Sequence, residues 1–221
     1  MKMDLTELVF ILDRSGSMSG LESDTIGGYN AMLMKQKAEP GEAVVTTVLF
    51  DDQYELLHDR IPIKGVSPIS DREYFVRGCT ALLDAIGKTI SKIGNAQKNT
   101  SEDMRAAKVL FIITTDGLEN ASREYTAAHV RHMIERKQTR YGWSFVFLGA
   151  NIDAISTAEK YGIHRNHAVN YHPDKIGMNL NFEAIDFAVT QIRSGKSLDG
   201  NWKQKLERDY NERQPDDSDC K

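Results

Sequence analysis

Three short segments carry oxygen donors in patterns that suit a hard metal ion. The first is Asp13-Arg14-Ser15-Gly16-Ser17, where residues 13, 15 and 17 alternate along an extended loop. Alternation lets one carboxylate and two hydroxyls turn toward a single point. Oxygen ligands of this kind suit Mg²⁺, with Mn²⁺ or Ca²⁺ as the other candidates. Gly16 leaves the backbone free to bend tightly between the serines. The second segment is Gly78-Cys79-Thr80-Ala81, with a hydroxyl at Thr80, and the third is Thr114-Thr115-Asp116-Gly117, with a carboxylate at Asp116. Each has a plainer reading. The first segment could be an Asx or Ser turn ahead of a helix, and its own residues do not decide between the two. Thr80 could cap a helix N-terminus, and Asp116-Gly117 could be a cap or a turn.

The elements around these segments favour convergence. Leu8–Leu12, Val109–Ile113 and Phe145–Leu148 are short, continuous apolar runs, as expected of strands buried on both faces of a parallel sheet. Ala43–Phe50 has the same character, and Tyr54–Ile63 follows it after Asp51-Asp52-Gln53. That pair reads as an antiparallel hairpin, with Pro62 placing the second strand at or near an edge. His167–Asn170 is a weaker strand. Helical spacing of apolar residues marks Leu21–Lys37, Ala81–Ile93, Glu124–Gln138, Ala154–Tyr161 and Met178–Ile192. Gly65–Gly78 and Gly94–Ala107 read as loops. The order β-α-β-β-α-β-α-β-α-β-α predicts an α/β fold. It is a doubly wound, Rossmann-like, mostly parallel six-stranded sheet with one antiparallel edge strand and helices on both faces. Ligands of such sheets lie at the carboxyl ends of the strands, where Asp13 and Asp116 fall. If the first and fourth main strands are neighbours, the two carboxylates approach each other and repel unless a cation lies between them.

Asp-x-Ser-x-Ser after the first strand, a threonine in a Gly-x-Thr-Ala loop and Asp-Gly after the fourth strand resemble the metal-ion-dependent adhesion site of von Willebrand factor A domains. The inserted domains of integrins share the pattern. The resemblance runs over about residues 5–193 and implies a domain at 1–194. It implies hydroxyl ligands from Ser15, Ser17 and Thr80, and carboxylates from Asp13 and Asp116, directly or through water. The stretches IITTDGLENAS and WSFVFLGANIDA, and a closing helix that ends Ile192-Arg193, look like stand-alone members from bacteria and phages. Small residues are common where Cys79 stands, and the thiol there reads as an inert buried group. The polar tail, 195–221, is expected to be partly disordered toward its end, ERQPDDSDCK, with Trp202 and Leu206 docking a last helical turn.

Composition excludes several classes. The 221 residues are 40% hydrophobic and 27% charged, with a formal net charge of -4, so no basic excess draws the chain to nucleic acid or to an anionic membrane. No apolar run approaches the roughly 20 residues of a membrane span. The segment MKMDLTELVFILD does not read as a signal peptide, and Cys79 and Cys220 do not suggest a disulfide scaffold, so the cytoplasm is the expected compartment. Neither glycine-rich nucleotide-binding motif is present. His172-Pro173-Asp174 copies a chaperone-stimulating tripeptide outside its usual setting between helices, and Asp174 reads as the start of the last helix. His129, His132 and Glu135 have helical spacing that could bind zinc, but read as a solvated face.

Two functions fit the pattern. The ligand set carries only two charges over five oxygens, so a bound ion stays electrophilic and keeps a place for an aspartate or glutamate of a partner protein. This describes a non-enzymatic, metal-dependent interaction module. The alternative is a metal-dependent hydrolase or phosphatase with Asp13 as nucleophile. A second acid two residues on would then serve as general acid or base, and this chain has Ser15 there.

Overall fold

A computed structural model describes residues 1–214. Its sheet has six strands in the order β3-β2-β1-β4-β5-β6, made by β1 (Lys2–Asp13), β2 (Glu42–Phe50), β3 (Tyr54–Pro62), β4 (Ala106–Asp116), β5 (Ser144–Ala150) and β6 (Ala168–Asn170). All neighbours are parallel except β2 and β3, whose antiparallel pairing places β3 at an edge with Pro62 opposite Val44. The expected topology is therefore the observed one.

The period-two pleat divides the core of the sheet between its faces. Leu8, Phe10 and Leu12 of β1 face one apolar cluster with α1 (Glu22–Ala38) and α5 (Lys175–Arg193). Val9 and Ile11 face the other, with α2 (Leu82–Asn99), α3 (Ala127–Tyr141) and α4 (Ala154–Lys160). Tyr29, Met32 and Leu33 of α1 are buried, as their spacing predicts. Several boundaries differ from expectation. The segment 94–107 is a loop only over 100–105: α2 continues to Asn99 and β4 begins at Ala106. The third helix starts at Ala127, capped by Thr126 rather than opening at Glu124. Within the polar tail, α6 (Gln204–Glu212) packs on the body through buried Trp202 and Leu206. Arg213 then pairs with Asp174 and Asp209. The rest of the segment expected to be disordered, with Cys220, lies outside the described residues. Among those described, no helix is long and apolar enough to cross a membrane.

Candidate metal centre

Register brings the first and third donor segments together. Leu12 lies opposite Thr114 in the parallel β1–β4 pair, so Asp13 emerges beside Thr115 and Asp116. One oxygen of Asp13 accepts the Ser15 N–H at 2.7 Å, which is the Asx turn. The other accepts the Thr115 hydroxyl at 2.6 Å and the Asp116 N–H at 3.3 Å. The turn and the convergence are thus compatible. Ser15 Oγ and Ser17 Oγ stand 3.1 Å apart, and Thr80 Oγ1 donates to Ser15 Oγ at 2.9 Å. Thr80 is not a helix cap, because Ala81 occupies that position and no side chain bonds there. Asp116 Oδ1 accepts from Asn151 Nδ2 at 2.5 Å, while its Oδ2 is buried with no hydrogen-bond partner. Asp13, Ser15, Thr80 and Asp116 are buried, and Ser17 is exposed, so the cluster opens to solvent on the Ser17 side.

Three interlocks hold these loops. Arg14, fully buried, turns away from the carboxylates: its Nε donates to Asp51 Oδ2 at 3.1 Å and its Nη2 to Glu55 Oε2 at 2.7 Å. Arg77 donates to the same Asp51 oxygen at 2.6 Å, and both guanidiniums lie near the ring of Phe75. Tyr74 donates its hydroxyl to the Asp13 carbonyl. On the other side, Asn120 Oδ1 accepts the Thr80 N–H at 2.9 Å. Glu119 accepts the N–H groups of Leu83, Ala121 and Ser122, and Asp84 accepts those of Arg123, Glu124 and Tyr125. These bonds clamp segment 117–125 to the start of α2.

Two glycines are required by this geometry. Gly78 has φ 65°, and a Cβ there would stand 2.1 Å from Asp52 Oδ1. Gly117 has φ 131°, with Ser17 Oγ 3.2 Å from where a Cβ would be. Gly16, expected to supply the tight bend, does not adopt a positive φ; its N–H donates to the Gly78 carbonyl at 3.1 Å.

Electrostatically, the pair is uncompensated. Burial raises the pKa of Asp13, against the lowering effect of its hydrogen bonds. Burial also pushes Asp116 up to about 6; the Asn151 hydrogen bond lowers it and the Asp13 charge raises it further. Neither carboxylate takes part in an ion pair among the described residues. Among those residues no group of three or more His, Cys, Asp and Glu is placed to hold a metal. This cluster has two carboxylates, and its remaining donors are hydroxyls. An orphaned carboxylate oxygen, a second carboxylate hydrogen-bonded to the same backbone and three converging hydroxyls form a donor set that fits a divalent cation.

All five residues singled out in the sequence meet here. The residues missed are Thr115, Asn151 and Asn120, which tie down Asp13, Asp116 and the Thr80 backbone. Thr115 and Asn151 stand at strand ends, but nothing local sets the three apart from other polar residues near turns. Cys79 is exposed and free, not buried as expected, because its loop backbone runs along the surface between Gly78 and Thr80. Asp174 caps α5 by accepting the Gly177 N–H, which accounts for the His-Pro-Asp tripeptide.

The fold is that of von Willebrand factor A domains. A von Willebrand factor type A protein from Catenulispora acidiphila superposes with a TM-score of 0.59 at 13% identity, over 85% of this chain and 43% of that one. An ArnB paralog from Sulfolobus acidocaldarius gives 0.51 at 18% identity, over 88% of this chain and 46% of that one. Proximal thread matrix protein 1 from the mussel byssus, in a structure with its MIDAS motif occupied by zinc, gives 0.53 at 13% identity, over 82% and 44%. The chain spans less than half the length of these structures. No family model and no curated protein matches the chain.

Proposed function

We propose that this chain is a cytoplasmic, divalent-cation-dependent protein–protein interaction module. Asp13 and Asp116 would hold the ion with Ser15, Ser17 and Thr80, directly or through water, and an aspartate or glutamate of a partner protein would complete its shell. Mg²⁺ is the favoured ion, with Mn²⁺ or Ca²⁺ as substitutes. When bound, the ion supplies an electrophilic centre at the mouth of the cluster. The observation that carries this reading is the buried Asp116 Oδ2 with no partner, set beside a second buried carboxylate. A buried acceptor left unmatched costs about 1–3 kcal/mol, more if charged, so a cation is the economical explanation of its persistence.

The protein's own residues position rather than react. Both oxygens of Asp13 are engaged, one by Ser15 N–H and the other by Thr115 and Asp116. That disfavours Asp13 as a nucleophile. Ser15 stands where a phosphatase of this kind would keep its second acid, which favours adhesion over hydrolysis.

The test is paired on one sample. Capture of partner proteins from a lysate is expected with Mg²⁺, and its loss is expected with EDTA and in Asp13→Asn. Phosphate release from generic phosphoesters is expected to be absent. Capture that survives EDTA refutes ion-mediated adhesion, and metal-dependent turnover lost in Asp13→Asn establishes the hydrolase instead.

A further inference from the structure

A second candidate site lies at the other end of the sheet. Between α2 and α3, below the starts of β4 and β5, is a cavity of about 870 Å³. Its walls carry Lys98 from α2, Arg105 from the approach to β4, and Arg136, Lys137 and Arg140 from α3. Among the described residues Glu102 is the one acid on the lining. None of the five cations is in an ion pair among the described residues, in a chain whose formal net charge is -4.

The bland account is that these cations answer the negative ends of two helices, since Lys98 and Arg140 lie in the last turns of α2 and α3. Each helix C-terminus is equivalent to roughly half a negative charge. Two ends and Glu102 together offset about two of the five cations, and about three remain. Two of the remainder are held where water does not serve them well. Among the described residues Arg105 Nε is buried with no hydrogen-bond partner, and the one side-chain bond of Arg105 is from Nη2 to the Thr100 carbonyl. Lys137 Nζ lies 4.4 Å from the Trp143 ring centroid and 4.9 Å from that of Tyr141, with no carboxylate in contact. Its pKa is lowered, first by burial and then by the Arg136 charge. The cavity is therefore built with excess positive charge, part of it desolvated.

We propose that this cleft binds a small, multiply phosphorylated anion. The volume falls within the range of about 300–1,000 Å³ usual for small-molecule pockets and is far larger than one phosphate requires. Three of the five cations are arginines, whose planar forks suit the bidentate recognition of phosphate oxygens. The five cations line the cleft from three walls, the geometry for a compact ligand that inserts between elements rather than for a flat membrane. The proposal uses no residue of the metal centre and stands apart from its function.

The probe is inorganic tripolyphosphate, titrated calorimetrically into the full chain in EDTA at low ionic strength, so that chelation of divalent ions plays no part. Saturable one-site binding is expected, weakened at least tenfold in Arg136→Gln/Arg140→Gln and in Lys137→Met. The exposed double variant keeps its helix and is checked by circular dichroism. It therefore separates loss of ligand from loss of fold should Lys137→Met unfold. Parallel arms use sulfate and vesicles of phosphatidylcholine with phosphatidylinositol bisphosphate. No tripolyphosphate binding, binding unchanged in the double variant, sulfate bound as tightly, or binding to vesicles alone would each overturn the proposal.

Discussion

Two adjacent residues at the end of one strand lie in opposite electrostatic settings. Asp13 and Arg14 are both fully buried at the carboxyl end of β1. Arg14 is answered within the chain: its guanidinium meets Asp51 and Glu55, and Arg77 closes the cluster from the other side. Among the described residues Asp13 is answered only by neutral donors, and its charge raises the pKa of another acid, Asp116. Burial is common to both clusters, so burial alone marks neither as functional. The closed account of Arg14 makes it a brace for the loop that carries Thr80, and the open account of Asp13 is the feature that the proposed ion would answer.

Removing the brace has the largest expected effect. Arg14→Met leaves Asp51 buried with only the half-exposed Arg77, and breaking a buried pair in this way costs about 3–5 kcal/mol. Urea unfolding checks it; a loss under about 1 kcal/mol would reduce the cluster to the standing of a surface ion pair.

The acid pair comes next, and its sign is opposite. Asp116 has a raised pKa, so its protonated form favours the folded state. That contribution is present below the ordinary carboxylate value of 3.8 and is lost as the pH rises through about 6. In EDTA, this group alone should make the protein less stable at pH 7 than at pH 4, by on the order of 2 kcal/mol. Mg²⁺ at a hundred times its Kd should add about 2.7 kcal/mol at pH 7. Its effect should shrink toward pH 5 as protons compete. Asp116→Asn should flatten the Asp116 share of the pH profile and abolish the Mg²⁺ shift. Thermal melts at several pH values, with and without Mg²⁺, decide the matter.

The smallest effect on stability is expected from Thr80→Ala. Among the described residues its hydroxyl bonds only Ser15 Oγ, and a single hydrogen bond contributes about 1 kcal/mol. Its effect on partner capture should be larger, at least tenfold at fixed Mg²⁺, because it edits the donor set while leaving the core intact. Equal losses in stability and capture would make Thr80 a structural residue only.

Much of this was legible in the sequence because it depends on local pattern. The runs Leu8–Leu12 and Val109–Ile113 are apolar on both faces, and only a strand covered on both sides accommodates that. Asp13, Ser15 and Ser17 declare themselves by alternation, and Asp116 by its place after an apolar run. The end of α2 was hidden because Gly94 reads as a breaker, while Ile93 and Gln97 one turn apart keep the buried face going. The partners of the site were hidden for a different reason. Thr115 meets Asp13 across 102 residues, and Asn120 meets the Thr80 backbone across 40. Such pairings are set by strand order and loop packing, and no local signal distinguishes these residues from other polar residues near turns. The cations of the α2–α3 cleft are likewise spread over two helices and a strand approach, and their convergence exists only in the fold.

The distance along the chain between the donor loops has a kinetic consequence. Asp13 and Asp116 share a site only once β1 and β4 are zipped in register to their last residues, and Thr80 joins only when α2 has docked. A chain that is still assembling offers the ion no complete site. Contacts that form only after the folding transition state slow unfolding and leave the folding rate nearly unchanged. The cation would thus act as a latch on the finished domain, lengthening the life of the native state without helping to build it.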